Sequence, residues 1–272
     1  MSSILMLTPQ APYPPRQGTA LRNWGLLQGL SAYHAVSLLT LASPDQSPIP
    51  DPTLARTVER IAMIEHPRRT MRARLRDLFT KRTPDLAERL ASAAFEEQLT
   101  SWLRSHAFDW IMVEGLEMAP SLDVLQTVHS QRGEPVGKDA GPHVVFDDHN
   151  CEYLLQRRAA QSDWRRPRRW PGAVYSSIQW RRLLRYEAAV CRRADLVVAV
   201  SEADAKALRA IAPGLDPLVI PNGINFKAYA DFDETAEPAQ PAFVFTGTMD
   251  FRPNVDGVLW FADAIWRSEE HT

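Results

Sequence analysis

Cysteine is nearly absent from this chain: two residues in 272, Cys151 and Cys191, and neither belongs to a CxxC pair. A disulfide framework or a cysteine zinc site is thereby excluded, and two reduced thiols in a cytoplasmic protein are expected. Long hydrophobic runs are lacking as well. No stretch approaches the roughly 18 apolar residues of a membrane-spanning helix. Met1 to Leu7 has no basic leader, so it reads as a buried strand and not as a signal peptide. An excess of one charge is also missing. A net charge of −2 gives no general attraction to nucleic acid. Neither a GxGxxG fingerprint nor a Walker loop occurs, which speaks against a dehydrogenase or a kinase.

What is present is an ordinary globular composition, 45% apolar and 24% charged, in a length suited to one large domain or two modest ones. The charge is uneven. Arginines crowd into Arg68, Arg69, Arg72, Arg74 and Arg76, and again into Arg157, Arg158, Arg165, Arg166, Arg168 and Arg169.

Short apolar runs predict strands at Ile4–Leu7, Val36–Leu41, Ile61–Ile64, Asp109–Glu114, Val144–Asp147, Leu196–Val200, Leu218–Ile220 and Phe243–Thr246. Between them, helical spacing falls at Gly18–Leu30, at Thr70–His106 with a break near Thr83-Pro84, and at Ser121–Gln131. Further helices are expected at Tyr175–Arg193, Glu202–Ile211 (with Ser201 as N-cap) and Val255–Trp266. Ser43 to Pro52 and Gly133 to Pro142 read as loops. Strands alternating with helices predict an α/β fold, a Rossmann-like parallel sheet with helices on both faces. Ligands of such sheets sit off the carboxyl ends of the strands. Polar clusters fall there: Gln17-Gly18, Glu114-Gly115, Asp147 to Glu152, Ser201-Glu202, Asn222-Gly223 and Gly247-Thr248.

Four segments carry a resemblance. Pro12-Tyr13-Pro14-Pro15-Arg16-Gln17-Gly18 resembles the opening loop of family-4 glycosyltransferases. Asp147-Asp148-His149-Asn150-Cys151-Glu152 is similar to their mid-domain segment. Val200-Ser201-Glu202 with Ile220-Pro221-Asn222-Gly223-Ile224 resembles their run into the interdomain hinge. Phe245-Thr246-Gly247-Thr248-Met249-Asp250, with Pro253-Asn254-Val255-Asp256 and Trp260-Phe261, looks like the start of their second domain. The four stand in the family's order, and the nearest likeness is to sugar transferases of exopolysaccharide systems. The resemblance implies a GT-B fold, two Rossmann-like domains facing a cleft. It also implies sugar transfer from a nucleotide-sugar donor to a glycan or lipid-linked acceptor, with retention of anomeric configuration. On that basis residues 1–225 form the N-terminal, acceptor-side domain, 226–241 a linker, and 242–266 the beginning of the donor-side domain. A full family member continues well past Trp266, so the chain is expected to be truncated and inactive alone. Residues 267–272, Arg-Ser-Glu-Glu-His-Thr, break the helix pattern and match the translation of a common sequencing adapter; they are expected to be non-native.

Within this frame His149 is the candidate catalytic group, placed to steady charge on the transferring sugar; a structural histidine is the plainer alternative. Gly18 is a candidate diphosphate contact, because a strand–loop–Gly–helix turn presents backbone N–H groups to an anion; a simple turn glycine is the alternative. Gly247 and Arg252 are further donor-binding candidates. Arg22, Asp147, Asn150 and Glu152 are candidates to bind or orient the acceptor. Ser201, Glu202, Asn222 and Gly223 line the hinge and cleft. No metal and no cofactor beyond the nucleotide-sugar substrate are expected, although Asp147, Asp148 and His149 together are of metal-ligating type. Arg68–Arg82, interleaved with Met71, Leu75, Leu78 and Phe79, is a candidate peripheral contact with an anionic membrane, or else a charged surface helix. Trp164, Trp170 and Trp180 among arginines point to a sugar- or lipid-facing loop, or to core aromatics. A nucleotide-sugar epimerase of the same fold and a non-catalytic sugar- or partner-binding domain are the rival readings.

Overall fold

The computed structural model describes residues 1–42, 48–132, 141–224, 243–247, 249 and 252–266. The chain divides into two compact units, Met1–Gly223 and Ile224–Thr272.

The first unit is built on seven parallel strands in the order β3-β2-β1-β4-β5-β6-β7. The strands are β1 (Ser3–Thr8), β2 (Ala35–Leu41), β3 (Arg60–Ile64), β4 (Trp110–Glu114), β5 (His143–Asp148), β6 (Leu196–Ala199) and β7 (Leu218–Val219). Between them run α1 (Gly18–Ser31), α2 (Pro52–Thr57), α3 (Met71–Thr80), α4 (Asp85–Arg89), α5 (Ala93–Ser105), α6 (Ser121–Gln131), α7 (Glu152–Trp164), α8 (Trp170–Arg193) and α9 (Glu202–Ile211).

Successive strand side chains point to opposite faces. On β1, Ile4 and Met6 join one core with Leu27 of α1 and Leu54 of α2. Leu5 and Leu7 join the other core, with Leu99 of α5, Leu122 of α6, Leu183 of α8 and Leu208 of α9. Both faces are therefore covered, and the continuous apolar runs of these strands follow from that. Each of these fully buried leucines contributes about 1.5–3 kcal/mol.

Two helices depart from the sequence expectation. Ser43 to Pro52 was assigned wholly to a loop, yet Pro52 opens α2, with the Asp51 side chain accepting from Thr53 N. An acidic N-cap followed by proline at the first helical position is a helix start. Trp164 was open between a ligand-facing loop and core aromatics at helical spacing; Glu152–Trp164 is helical, and α8 begins at Trp170 instead of Tyr175. α7 is polar and weakly periodic; packing along α8 sustains it. The break expected near Thr83-Pro84 falls between α3 and α4.

In the second unit, helix α10 (Arg252–Trp260) runs into a π-turn at Phe261–Trp266. The strand expected at Phe243–Thr246 does not form: these residues have no strand pairing among the described residues. A lone strand leaves its backbone groups without a ladder. Phe243 instead packs its ring on Phe261 and Trp266, at centroid distances of 5.5 and 5.7 Å. The expected linker core, residues 226–241, and the expected non-native tail, 267–272, lie outside the described residues.

Candidate functional site

From β1 the chain winds outward through β2 and β3, then returns to β4 on the other side of β1. The loops leaving β1 and β4 therefore diverge, and a crevice opens at their carboxyl ends. A cavity of about 280 Å³ occupies this switch point. Its wall includes Gln10 after β1, Gln17 and Thr19 at the start of α1, Glu117 after β4, and His149 and Glu152 after β5.

His149 follows directly on β5, which carries it to the cavity. Its side chain is 11% exposed. Nε2 lies 3.6 Å from Glu114 Oε2 and Nδ1 lies 3.7 Å from Asp147 Oδ2. Neither ring nitrogen has a hydrogen-bond partner among the described residues. Burial lowers the His149 pKa; the Asp147 charge opposes this and the Arg22 charge adds to it. The ring is thus held neutral, with both nitrogens uncommitted. Gly115 permits the approach. It has φ +80°, and a Cβ there would lie 3.3 Å from His149 Cδ2, so a side chain would be both strained and crowded.

Arg22 and Asp147 are paired with each other. Arg22 Nε and Nη2 donate to the two carboxylate oxygens of Asp147, each at 2.8 Å, and Nη1 donates to Ile220 O at 2.9 Å and Asn222 Oδ1 at 3.0 Å. The side chains are 4% and 0% exposed. A buried, two-bond pair engages both side chains, which were expected to bind or orient the acceptor. It ties α1 to β5 and to the segment after β7, which gives Asn222 a structural task as well.

Behind this layer sits Glu114, fully buried and without a hydrogen-bond partner among the described residues. Burial, then the neighbouring Asp147 charge, raises its pKa well above the usual range, which keeps the carboxyl neutral. A second acidic layer follows. Glu187 of α8 accepts from Glu152 N at 2.9 Å and Tyr153 N at 3.0 Å, satisfying free N–H groups at the start of α7. Burial raises Glu187 to about 7 and Asp148 well above its usual value. Glu152, on the cavity wall, is also pushed up to about 7, by burial and then by Glu117 and Glu187.

Among the described residues, two clusters have metal-ligating chemistry, Glu114–Asp147–His149 and Asp148–Cys151–Glu187. In the first, the Arg22 guanidinium already neutralises Asp147. In the second, both Glu187 oxygens are engaged by α7.

The remaining candidates separate. Asn150 and Glu152 line the cavity with His149. Gly18 opens α1 between the wall residues Gln17 and Thr19. Its φ is not positive, and a Cβ would meet nothing within 4 Å, so no local turn demands glycine there. Gln17 makes no side-chain cap, and α1 has no acid in its first turn. Ser201 caps α9, as expected, by accepting from Asp204 N at 3.2 Å; Glu202 follows it on α9, and neither lines the cavity. Gly223 closes the first unit, and a Cβ there would meet nothing within 4 Å. Gly247 lies in the second unit, where a Cβ would come within 2.7 Å of Asn254 Nδ2. The Arg252 side chain lies outside the described residues. Sequence reasoning gave Glu114 no role of its own and passed over Glu117 and Glu187. Glu114 stood beside a glycine at a strand end, which was a usable signal. Glu187 looked like one more charged residue in an arginine-rich helix.

The sheet and the cavity at its switch point define a Rossmann-like α/β unit of the GT-B type. Residues 17–227 match the family described as Glycosyltransferase Family 4, well over half of the chain, and the chain belongs to that family. No curated protein matches it. Among solved structures it is similar to sucrose-phosphate synthase from Thermosynechococcus elongatus, at 13% identity over 83% of this chain and 92% of that one, TM-score 0.44. It is also similar to Medicago truncatula UGT71G1 complexed with UDP-glucose, at 12% identity over 83% of this chain and 53% of that one, TM-score 0.46. A UDP-N-acetylglucosamine 2-epimerase from Listeria monocytogenes matches at 10% identity over 79% of this chain, TM-score 0.41. The chain spans 53% and 43% of the lengths of the last two.

Proposed function

We propose that this chain is part of a retaining glycosyltransferase that moves a sugar from a nucleotide-sugar donor to a glycan or lipid-linked acceptor. The observation that carries this reading is the His149 ring, neutral and uncommitted on the wall of the switch-point cavity. A group so placed interacts with charge that develops on the transferring sugar and makes no demand on the nucleotide. The uncapped start of α1 beside Gly18 supplies N–H groups for the departing diphosphate. Asn150 and Glu152 are proposed to meet the acceptor, with Gly247 and Arg252 contributing to the donor side. No metal is required in this scheme, because backbone N–H groups carry the diphosphate charge. Action at the cytoplasmic face of a membrane, in polysaccharide synthesis, is part of the same proposal. No helix among the described residues is long and apolar enough to cross a membrane; contact through the surface at Arg68–Arg82 is the proposed form.

The test is a transfer assay with isotope-labelled nucleotide sugars and a panel of glycan and lipid-linked acceptors, with and without EDTA. Retained anomeric configuration and insensitivity to EDTA are expected. An inverted product refutes retention. An epimerised nucleotide sugar formed without acceptor establishes the epimerase instead, and donor binding without either product by a full-length protein that contains this chain establishes a binding domain.

A further inference from the structure

A surface helix normally turns its apolar stripe toward the core. Helix α3 does the reverse. Met71, Leu75 and Phe79 recur every fourth residue, and they are 73%, 60% and 79% exposed. The inward side carries Asp77, buried and paired with Arg69 and Arg76. Arg69 also bonds Asp85, and Arg182 donates to the Leu78 carbonyl. Ion pairs thus pin the helix down by its polar side, and the apolar stripe faces outward.

The charge around the stripe is of one sign. Arg68, Arg72, Arg76 and Arg82 are exposed beside it, and the single acid between Arg68 and Arg82 is the buried Asp77. A second basic and aromatic segment adjoins α3. Arg74 Nη2 approaches Tyr175 Oη at 3.4 Å, across 101 residues of sequence. Near Tyr175, at the corner between α7 and α8, Trp164, Trp170 and Val174 are exposed together with Arg165 and Arg168.

We propose that α3 is a membrane-docking helix. It lies in the headgroup plane of an anionic bilayer, with Met71, Leu75 and Phe79 inserted toward the acyl chains and the flanking arginines on lipid phosphates. Charge selects this occupant. An apolar protein groove has no use for a rim of exposed arginines, a nucleic acid has none for the apolar stripe, and an anionic lipid surface takes up both. The α7–α8 corner adds tryptophans of the kind found at membrane interfaces. This deepens the membrane-contact part of the proposed function and rests on it, while docking itself requires no sugar transfer.

The test is co-sedimentation of the full chain with vesicles of phosphatidylcholine alone or mixed with phosphatidylglycerol. Binding only to the mixed vesicles, weakened by salt, is expected. Leu75→Ser with Phe79→Ser should lower partitioning about tenfold or more. Arg68→Gln and Arg72→Gln should each lower it about fivefold. All of these side chains are exposed, so thermal melts should be unchanged, which separates lost docking from lost folding. Equal binding to neutral vesicles, absence of binding, or wild-type binding by the serine variant each overturns the proposal. So does a dimer, detected by light scattering, that the serine variant loses. Because no transfer step enters the assay, failure here removes the membrane contact and leaves sugar transfer untouched, and the converse also holds.

Discussion

Arg22 and Asp147 stand 125 residues apart in sequence and meet through two parallel hydrogen bonds of 2.8 Å, in a pocket that leaves the carboxylate fully buried. The pair holds the first helix against the fifth strand, immediately before the histidine that reaches the cavity.

Removing one partner orphans the other. Arg22→Met should therefore cost about 3–5 kcal/mol in urea unfolding. Arg22→Met combined with Asp147→Leu should cost less than Arg22→Met alone, since no buried charge is left unpaired. Equal losses in the two proteins would mean that the arginine stabilises through Ile220 and Asn222 and not through Asp147.

His149→Ala should lower turnover roughly a hundredfold in an active preparation while donor affinity changes little. Its ring nitrogens have no hydrogen-bond partner among the described residues and are free for a transition-state contact. Unchanged kcat would return His149 to a packing role.

The acidic layer beneath α7 makes the fold sensitive to alkali. Glu187 rises from 4.5 to about 7 on folding, and Asp148 rises with it. Raised values mean that the folded state holds its protons more tightly than the unfolded chain. The contribution is complete below about pH 4.5 and is lost as pH rises through about 7, on the order of 3 kcal/mol for Glu187. Glu152, Asp204 and the Cys151 thiol share the region and reinforce the trend. Asp148→Asn removes one of the competing charges at nearly constant shape. Its melting temperature should match the parent near pH 5 and exceed it at pH 8. A parallel decline in both proteins would show that another group controls the alkaline limb.

Cys151 and Cys191 are buried, and burial pushes both thiols far above their ordinary pKa. Neither should react with a disulfide reagent in the native protein, and both should react in urea. Rapid native labelling of either would reveal local opening near α7.

Much of this architecture was legible in the sequence, for a physical reason. Strand and helix type follow from local periodicity, so runs such as Ile4–Leu7 and Trp110–Glu114 announced a parallel sheet buried on both faces, and their ends located Gly115, His149 and Asn150. The misses were elements whose stability comes from elsewhere. Helix α7 rests on α8 and on the cap from Glu187, 35 residues beyond Glu152; Phe243–Thr246, without a neighbouring strand, formed no strand at all.

Which polar residues face a ligand was a tertiary decision. Arg22, Asp147 and Asn222 looked like cleft residues because each lies at the expected end of its element. Strand order brought them together, and once an arginine and an aspartate meet in a water-excluded layer, pairing is the only arrangement that leaves neither charge stranded. The same holds for α3. Its sequence shows an apolar stripe and a basic stripe, but ion pairs at Asp77 and Asp85 determined that the apolar one would face outward. Periodicity is written in neighbouring residues; orientation depends on partners that only the folded chain supplies.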